Sequence, residues 1–195
     1  MDAAADYAVA KAMLTRPLPA YVSYTAHSRV KFDAIDHSET DAVVVRTSDG
    51  VVVKGKVPST SQGFHFNTGE DNGMEPVAHP AFKPSCYQAV SAKLRDYEGR
   101  NLEAITLRET CSRSESDKDF DTLYVDPDTH EPVVATGSGD DEHVLVRLNQ
   151  EFTKVGNRAL PSTFYVRVHG SGFMFWLDVL VDQRYTDYRF SSTPP

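Results

Sequence analysis

The chain has 195 residues, 40% hydrophobic and 25% charged, with a formal net charge of −8 at pH 7, the balance of an ordinary globular protein long enough to bury a core as one domain spanning 1–195. No apolar run approaches the roughly 18 residues of a membrane span, so any membrane association is peripheral, and an acidic middle argues against nucleic-acid binding, which needs a basic stripe. The acid excess is local: from Glu109 to Glu142 eleven acids stand against Arg113 and Lys118, leaving seventeen acids and eighteen bases elsewhere. Such a stretch reads as solvated loops or as a surface for a cationic partner.

In chain order, residues 3–14 form the first predicted element, a short helix that Asp2 caps. Tyr7, Ala10, Lys11 and Leu14 share one face, and Pro17 and Pro19 end it. The first long strand, 21–32, alternates Val22, Tyr24, Ala26, Ser28, Val30 and Phe32 with a wetter row that includes His27. Two valine-rich runs then flank Asp49-Gly50, a hairpin signal. Residues 58–84 are rich in Gly, Pro, Ser and Asn with isolated aromatics such as Phe64, Phe66 and Phe82, and read as a loop or lid over one sheet face. Tyr87, Val90, Leu94 and Tyr97 fall at helical spacing, which predicts a second short helix over 85–97, stopped by Gly99. The insertion in the sheet therefore covers about 58–99.

Strand character resumes at 102–111, then at 122–125 and 133–136 around the Asp126-Pro127-Asp128-Thr129 turn. A second acidic turn at 137–142 leads to a strand at 144–148, and Gly156-Asn157 marks another reversal. The last 29 residues of the pattern, 162–190, read as a long hairpin turning at Gly170-Ser171-Gly172, with Phe164, Val166 and Val168 in one row before the turn and Phe175, Leu177, Val179 and Val181 in one row after it. About nine strands and two helices result, with no strand–helix alternation of a parallel α/β sheet. The fold class expected is mainly β (α+β), a curved antiparallel sheet whose concave face is covered by the two helices. A strongly twisted sheet of this size must curl.

Chemistry is harder to find. His65 and His79 share the long loop with Glu70, Asp71 and Glu75, but at no zinc-site spacing. His143 follows three acids in a turn, and Gly137-Ser138-Gly139 precedes those acids rather than a lysine, which would repel a phosphate. No catalytic residue, metal ligand or cofactor is expected, and the protein is read as a non-enzyme. Cys86 and Cys111, an even pair in polar surroundings, fit one disulfide of an exported protein; two separate reduced thiols of a cytoplasmic protein are the alternative. The N-terminus has neither a basic nor an apolar leader region, so an exported chain is expected here in mature form.

Two stretches carry a family resemblance. Leu123-Tyr124-Val125-Asp126-Pro127-Asp128-Thr129-His130-Glu131-Pro132-Val133 resembles the strand, Val-Asp-Pro-x-Thr-x-x-Pro-Val, strand hairpin of LolA-like proteins, the outer-membrane lipoprotein carriers and their relatives. Tyr185-Thr186-Asp187-Tyr188-Arg189-Phe190 is similar to the way those chains end. The resemblance implies a half-open β-barrel in the periplasm, or otherwise outside the cytoplasm, that holds acyl chains or another hydrophobic small molecule in its concave cavity, most simply as a monomer. The lining expected is the apolar row of the long strands: Val22, Tyr24, Phe164, Val166, Phe175 and Leu177, with Trp176 beside them. The other reading is an envelope interaction or sensor module with a filled core, which binds another envelope protein through the acidic loops or residues 58–84.

Overall fold

The computed structural model describes residues 2–32, 35–48, 51–56, 76–77, 80–111, 120–141, 144–172 and 175–193. One helix, α1 (Ala3–Leu14), precedes ten strands: β1 (Tyr21–Phe32), β2 (Ile35–Arg46), β3 (Val51–Lys56), β4 (Tyr87–Tyr97), β5 (Arg100–Glu109), β6 (Thr122–Val125), β7 (Pro132–Asp141), β8 (Val144–Val155), β9 (Arg158–Gly172) and β10 (Phe175–Ser191). They form one antiparallel sheet in the order β3-β2-β1-β10-β9-β8-β7-β6-β5-β4. The first and last long strands pair, so β3 and β4 are left as the two edges and the sheet does not close. The fold is the expected mainly-β, half-open curved sheet with an N-terminal helix on its inner face.

The alternation of the long strands sets that inner face. One row runs directly across the strands through Ser28, Gln183, Phe164, Gln150, Ala135, Leu123, Ile105 and Ala92. Val22, Tyr24, Val43, Val45, Val125, Leu148 and Tyr185 join it in one core, which Tyr7 and Ala10 of α1 cover. Asp2 caps α1, its Oδ1 accepting from the amides of Ala4 and Ala5, and the buried Tyr7 hydroxyl donates to the Pro84 carbonyl at 2.8 Å. β5 is buried on both faces: Leu102 and Ala104 face away from the core beside Tyr97 and Tyr124, whose rings lie 4.7 Å apart.

Several expectations are corrected. The predicted second helix is instead one 3-10 turn (Pro84–Cys86) followed by strand β4. A β-bulge between Ala89 and Ser91 inserts one residue into β4. The bulge puts Tyr87 and Leu94, seven residues apart, on the same face of the strand, the separation of two helical turns. Glu98 and Gly99, at φ 53° and 79°, form the two-residue turn into β5. The last hairpin turns later than expected, because β9 continues through Gly172, which pairs with Phe175. β7 likewise runs on to Asp141 through the expected acidic turn. The strand Ile35–Arg46 extends well ahead of the valine run that announced it. The Asp49-Gly50 turn, the metal-weighed His65, His79, Glu70, Asp71 and Glu75, the aromatics Phe64 and Phe66, His143, and most of the 58–84 loop lie outside the described residues.

Cys86 and Cys111 are joined, with Cα atoms 4.9 Å apart. The bond ties the open end of the β4–β5 hairpin, where the Thr110 amide also donates to the Cys86 carbonyl. Among the described residues no helix is long and apolar enough to cross a membrane.

Candidate ligand groove at the end of α1

The groove begins with how α1 stops. Thr15 ends the helix, its amide and hydroxyl both donating to the Lys11 carbonyl. Pro17 and Pro19 cannot continue a helix, and the chain from 16 to 20 crosses to β1 as an extended strap. Side-chain bonds from other elements fix the strap. The Arg158 guanidinium donates twice to the Pro17 carbonyl, at 3.1 and 2.8 Å, and the Thr47 hydroxyl donates to the Pro19 carbonyl at 2.7 Å. Arg158 also stacks over the Phe190 ring, 5.3 Å from its centroid.

Two adjoining cavities flank this strap. One, about 680 Å³, is bounded by Leu14, Leu18, Val45, Val77 and Leu160, with Arg16 and Arg158 in its wall. The other, about 230 Å³, shares Leu14, Leu18, Val77 and Leu160 and extends to Phe82, Phe152 and Gln150. The smaller cavity has the mainly apolar wall, whereas the larger is of ligand-pocket size and mixes apolar side chains with Arg16, Thr47 and Arg158. Phe82 anchors the end of the crossover from β3 to β4: it stacks on Tyr87 at 5.2 Å and meets Phe120 and Phe152 edge-on. That part of the expected loop or lid therefore packs on the inner face.

The lining expected from the strand rows sits mostly elsewhere. Val22, Tyr24 and Phe164 are fully buried core, and Val166 packs partly buried against it. Leu177 is half-buried on β10. None of these five touches either cavity. Phe175 and Trp176 pair through their backbones with Gly172 and Ser171, and their side chains lie outside the described residues. The rows were read with the correct parity, as Val166 opposite Val181 and Phe164 opposite Gln183 show. The groove residues were missed because they come from separated segments, around 13–18, 45–48, 76–77, 80–85, 150–152 and 158–161. The available signals were Leu18 held between two prolines and the apolar Ala159-Leu160-Pro161 after the Gly156-Asn157 turn.

The buried Tyr7 and Tyr185 and the partly buried Tyr188 place polar handles within the apolar face. The Tyr185 hydroxyl donates to Gln183 Oε1 and the Tyr188 hydroxyl to the Pro161 carbonyl, each at 2.7 Å. Burial pushes the ionisation of Tyr7, Tyr185 and Tyr188 well above the ordinary phenol range, so all three stay neutral donors. His27 and His169 lie exposed on the wet rows, as their alternation predicts, His27 sharing a hydrogen bond with Thr40.

No protein-family model and no curated protein matches the sequence. Solved structures do match in shape. A LolA superfamily protein from Nitrosomonas europaea superposes with a TM-score of 0.51 at 12% identity, covering 100% of this chain and 96% of that one. A domain named for outer membrane lipoprotein sorting, from Vibrio parahaemolyticus, gives 0.50 at 10% identity over 100% and 95%. Taken with the sheet order and the inner helix, these likenesses show that the fold of this chain is LolA-like.

Proposed function

We propose that the protein is an exported, non-enzymatic carrier or sensor that binds a lipid or another hydrophobic molecule, an acyl chain being the simplest case, in the groove beside α1. The observation that carries this reading is the apolar groove between the α1 strap, Val77 and Leu160 on a LolA-like sheet. Arg16 and Arg158 stand in its wall as counter-charges for an anionic headgroup. In this reading a longer ligand would have to displace α1 to reach Val22, Tyr24, Phe164 and Val166, which are packed core or rest against it. The Cys86–Cys111 bond fits a site outside the cytoplasm, with the periplasm as the place proposed.

Native mass spectrometry of the purified chain, followed by organic extraction, tests the reading directly. The expected result is an acyl-chain molecule near one per protein, with uptake of a fluorescent fatty acid that Leu160→Asp abolishes. A clean apo mass with no uptake of the probe overturns it, and leaves the envelope interaction module with a filled core.

A further inference from the structure

At the opposite end of α1 from the groove, three elements converge on one point. Asp6 comes from the first turns of α1, Glu103 from the inward row of β5, and His130 from the turn between β6 and β7. Their ligand-capable atoms all lie within 4.8 Å of one another. His130 Nδ1 is 3.7 Å from Asp6 Oδ1 and 3.5 Å from Glu103 Oε2.

Each residue is held in place. Glu103 is 1% exposed in the middle of a paired strand. His130 adopts the left-handed conformation at φ 55°, unusual for a residue with a Cβ. Its amide donates to the Asp126 carbonyl, and the Asp126 carboxylate gathers the amides of Asp128 and Thr129 and the Thr129 hydroxyl. Asp6 follows directly from the Asp2 cap, its amide donating to the Asp2 carbonyl.

The pairings of His130 with Asp6 and Glu103 leave atoms of all three unsatisfied. Asp6 Oδ2, Glu103 Oε1 and His130 Nδ1 are buried atoms without a hydrogen bond. Two carboxylates only accept, so they cannot satisfy each other without a proton or a cation between them. The separations from the imidazole are long for hydrogen bonds. They are close to the spacing of two ligands that share one ion, about 3.4 Å for bonds near 2.1 Å at a tetrahedral angle. The imidazole nitrogen beside two carboxylates departs from the all-oxygen shells of calcium and magnesium and suits a zinc-type ion with water in the fourth position.

We propose that Asp6, Glu103 and His130 form a site for one zinc-type divalent ion, which fastens α1 to the sheet and to the β6–β7 turn. The role is structural: the ion joins three elements that otherwise bury unsatisfied groups against each other. This inference stands apart from the groove and holds whether or not a lipid binds there.

The test uses the full chain, stripped with a chelator and reloaded with zinc, with metal content measured by mass spectrometry and affinity by competition against a chromophoric chelator. The expected result is one zinc per chain and a zinc-dependent rise in melting temperature. Glu103→Gln and His130→Ala each weaken affinity by at least about tenfold, the least that disturbing a metal shell does, while His27→Ala leaves it unchanged. Cobalt in place of zinc gives tetrahedral absorption bands that both variants lose. Sub-stoichiometric zinc, or affinity retained in both variants, overturns the proposal. So does a Glu103→Gln chain that melts higher than the wild type with or without zinc, because the cluster then needs only a proton. Should a variant fail to fold, a wild-type melting temperature that zinc does not move overturns the proposal by itself.

Discussion

Asp187 shows how one residue sets the facing of a whole strand end. It sits at φ 59° opposite a register break in β1, between Ser23 and Thr25. The break puts Tyr185, Tyr188 and Phe190 all on the core side, although an unbroken strand would send Tyr185 and Tyr188 to opposite faces. Tyr24 uses both, with ring centroids 6.0 Å from Tyr185 and 5.3 Å from Tyr188. The Tyr-x-Asp-Tyr-x-Phe ending is therefore a bulge signature. Asp187→Gly should leave urea stability within about 1 kcal/mol of the wild type, because glycine accepts the positive φ freely. Deleting Asp187 should prevent folding, because it turns Tyr188 and Phe190 outward; a deletion variant with a wild-type urea midpoint would refute the account. Asp126 belongs to the same scale. The amide and hydroxyl of Thr129 and the amide of Asp128 hold its carboxyl below the ordinary range. Its contribution is present above the unfolded-state value and is lost as pH falls through the lower folded-state value. Asp126→Ala should lower stability by about 1 kcal/mol at neutral pH, as for a lost cap. The gap from the wild type should close below the ordinary carboxylate range in urea titrations at the two pH values.

Elements were legible where one period ran unbroken. Alternation located β1 at its exact bounds, and the Asp2 cap with Pro17 bounded α1. β4 was not legible, because its bulge broke the period and its alanines and lysine favour a helix. Nor was the Asp6–Glu103–His130 cluster, whose members stand almost a hundred residues or more from the first to the others and share no motif spacing. The groove was hidden for the same reason: pattern reading assigns faces, whereas the groove depends on how α1 and its strap lie across them. β4 is also the element most in need of a tie. It is an edge strand with β5 as its one paired neighbour, and Val90 and Leu94 are half exposed. The Cys86–Cys111 bond closes a 25-residue separation across its open end, worth roughly 3 kcal/mol in the chain-entropy view. Replacing both cysteines by serine should lower the melting temperature, and reductant should reproduce the fall in the wild type but not in the variant. An unchanged melting temperature would show that β5 and α1 hold β4 unaided.

At the scale of the whole molecule, α1 joins the two halves of the sheet. It packs on β4 near one edge and on β7 and β9 further in, and its last turn supplies Leu14 to both cavities. The strap after it is bound to β2 through Thr47 and to β9 through Arg158. A molecule that fills the groove must therefore act on α1 before anything else, by packing against Leu14 and Leu18. Because ligand binding stabilises the state that holds it by RT ln(1 + [L]/Kd), local openings that lift α1 become rarer on binding, whereas openings confined to distant strands are unaffected. Hydrogen exchange should read this as slower exchange of the amides from Tyr7 to Thr15 when a fatty-acid probe saturates the protein. Amides of the β6–β7 hairpin, whose turn meets the other end of α1 from the groove, should keep their rates. At a hundred times the dissociation constant the protection gained approaches a hundredfold, about 2.7 kcal/mol. If the probe instead slows the exposed edge β4 and leaves α1 untouched, it sits outside the groove, and the helix is a permanent part of the core.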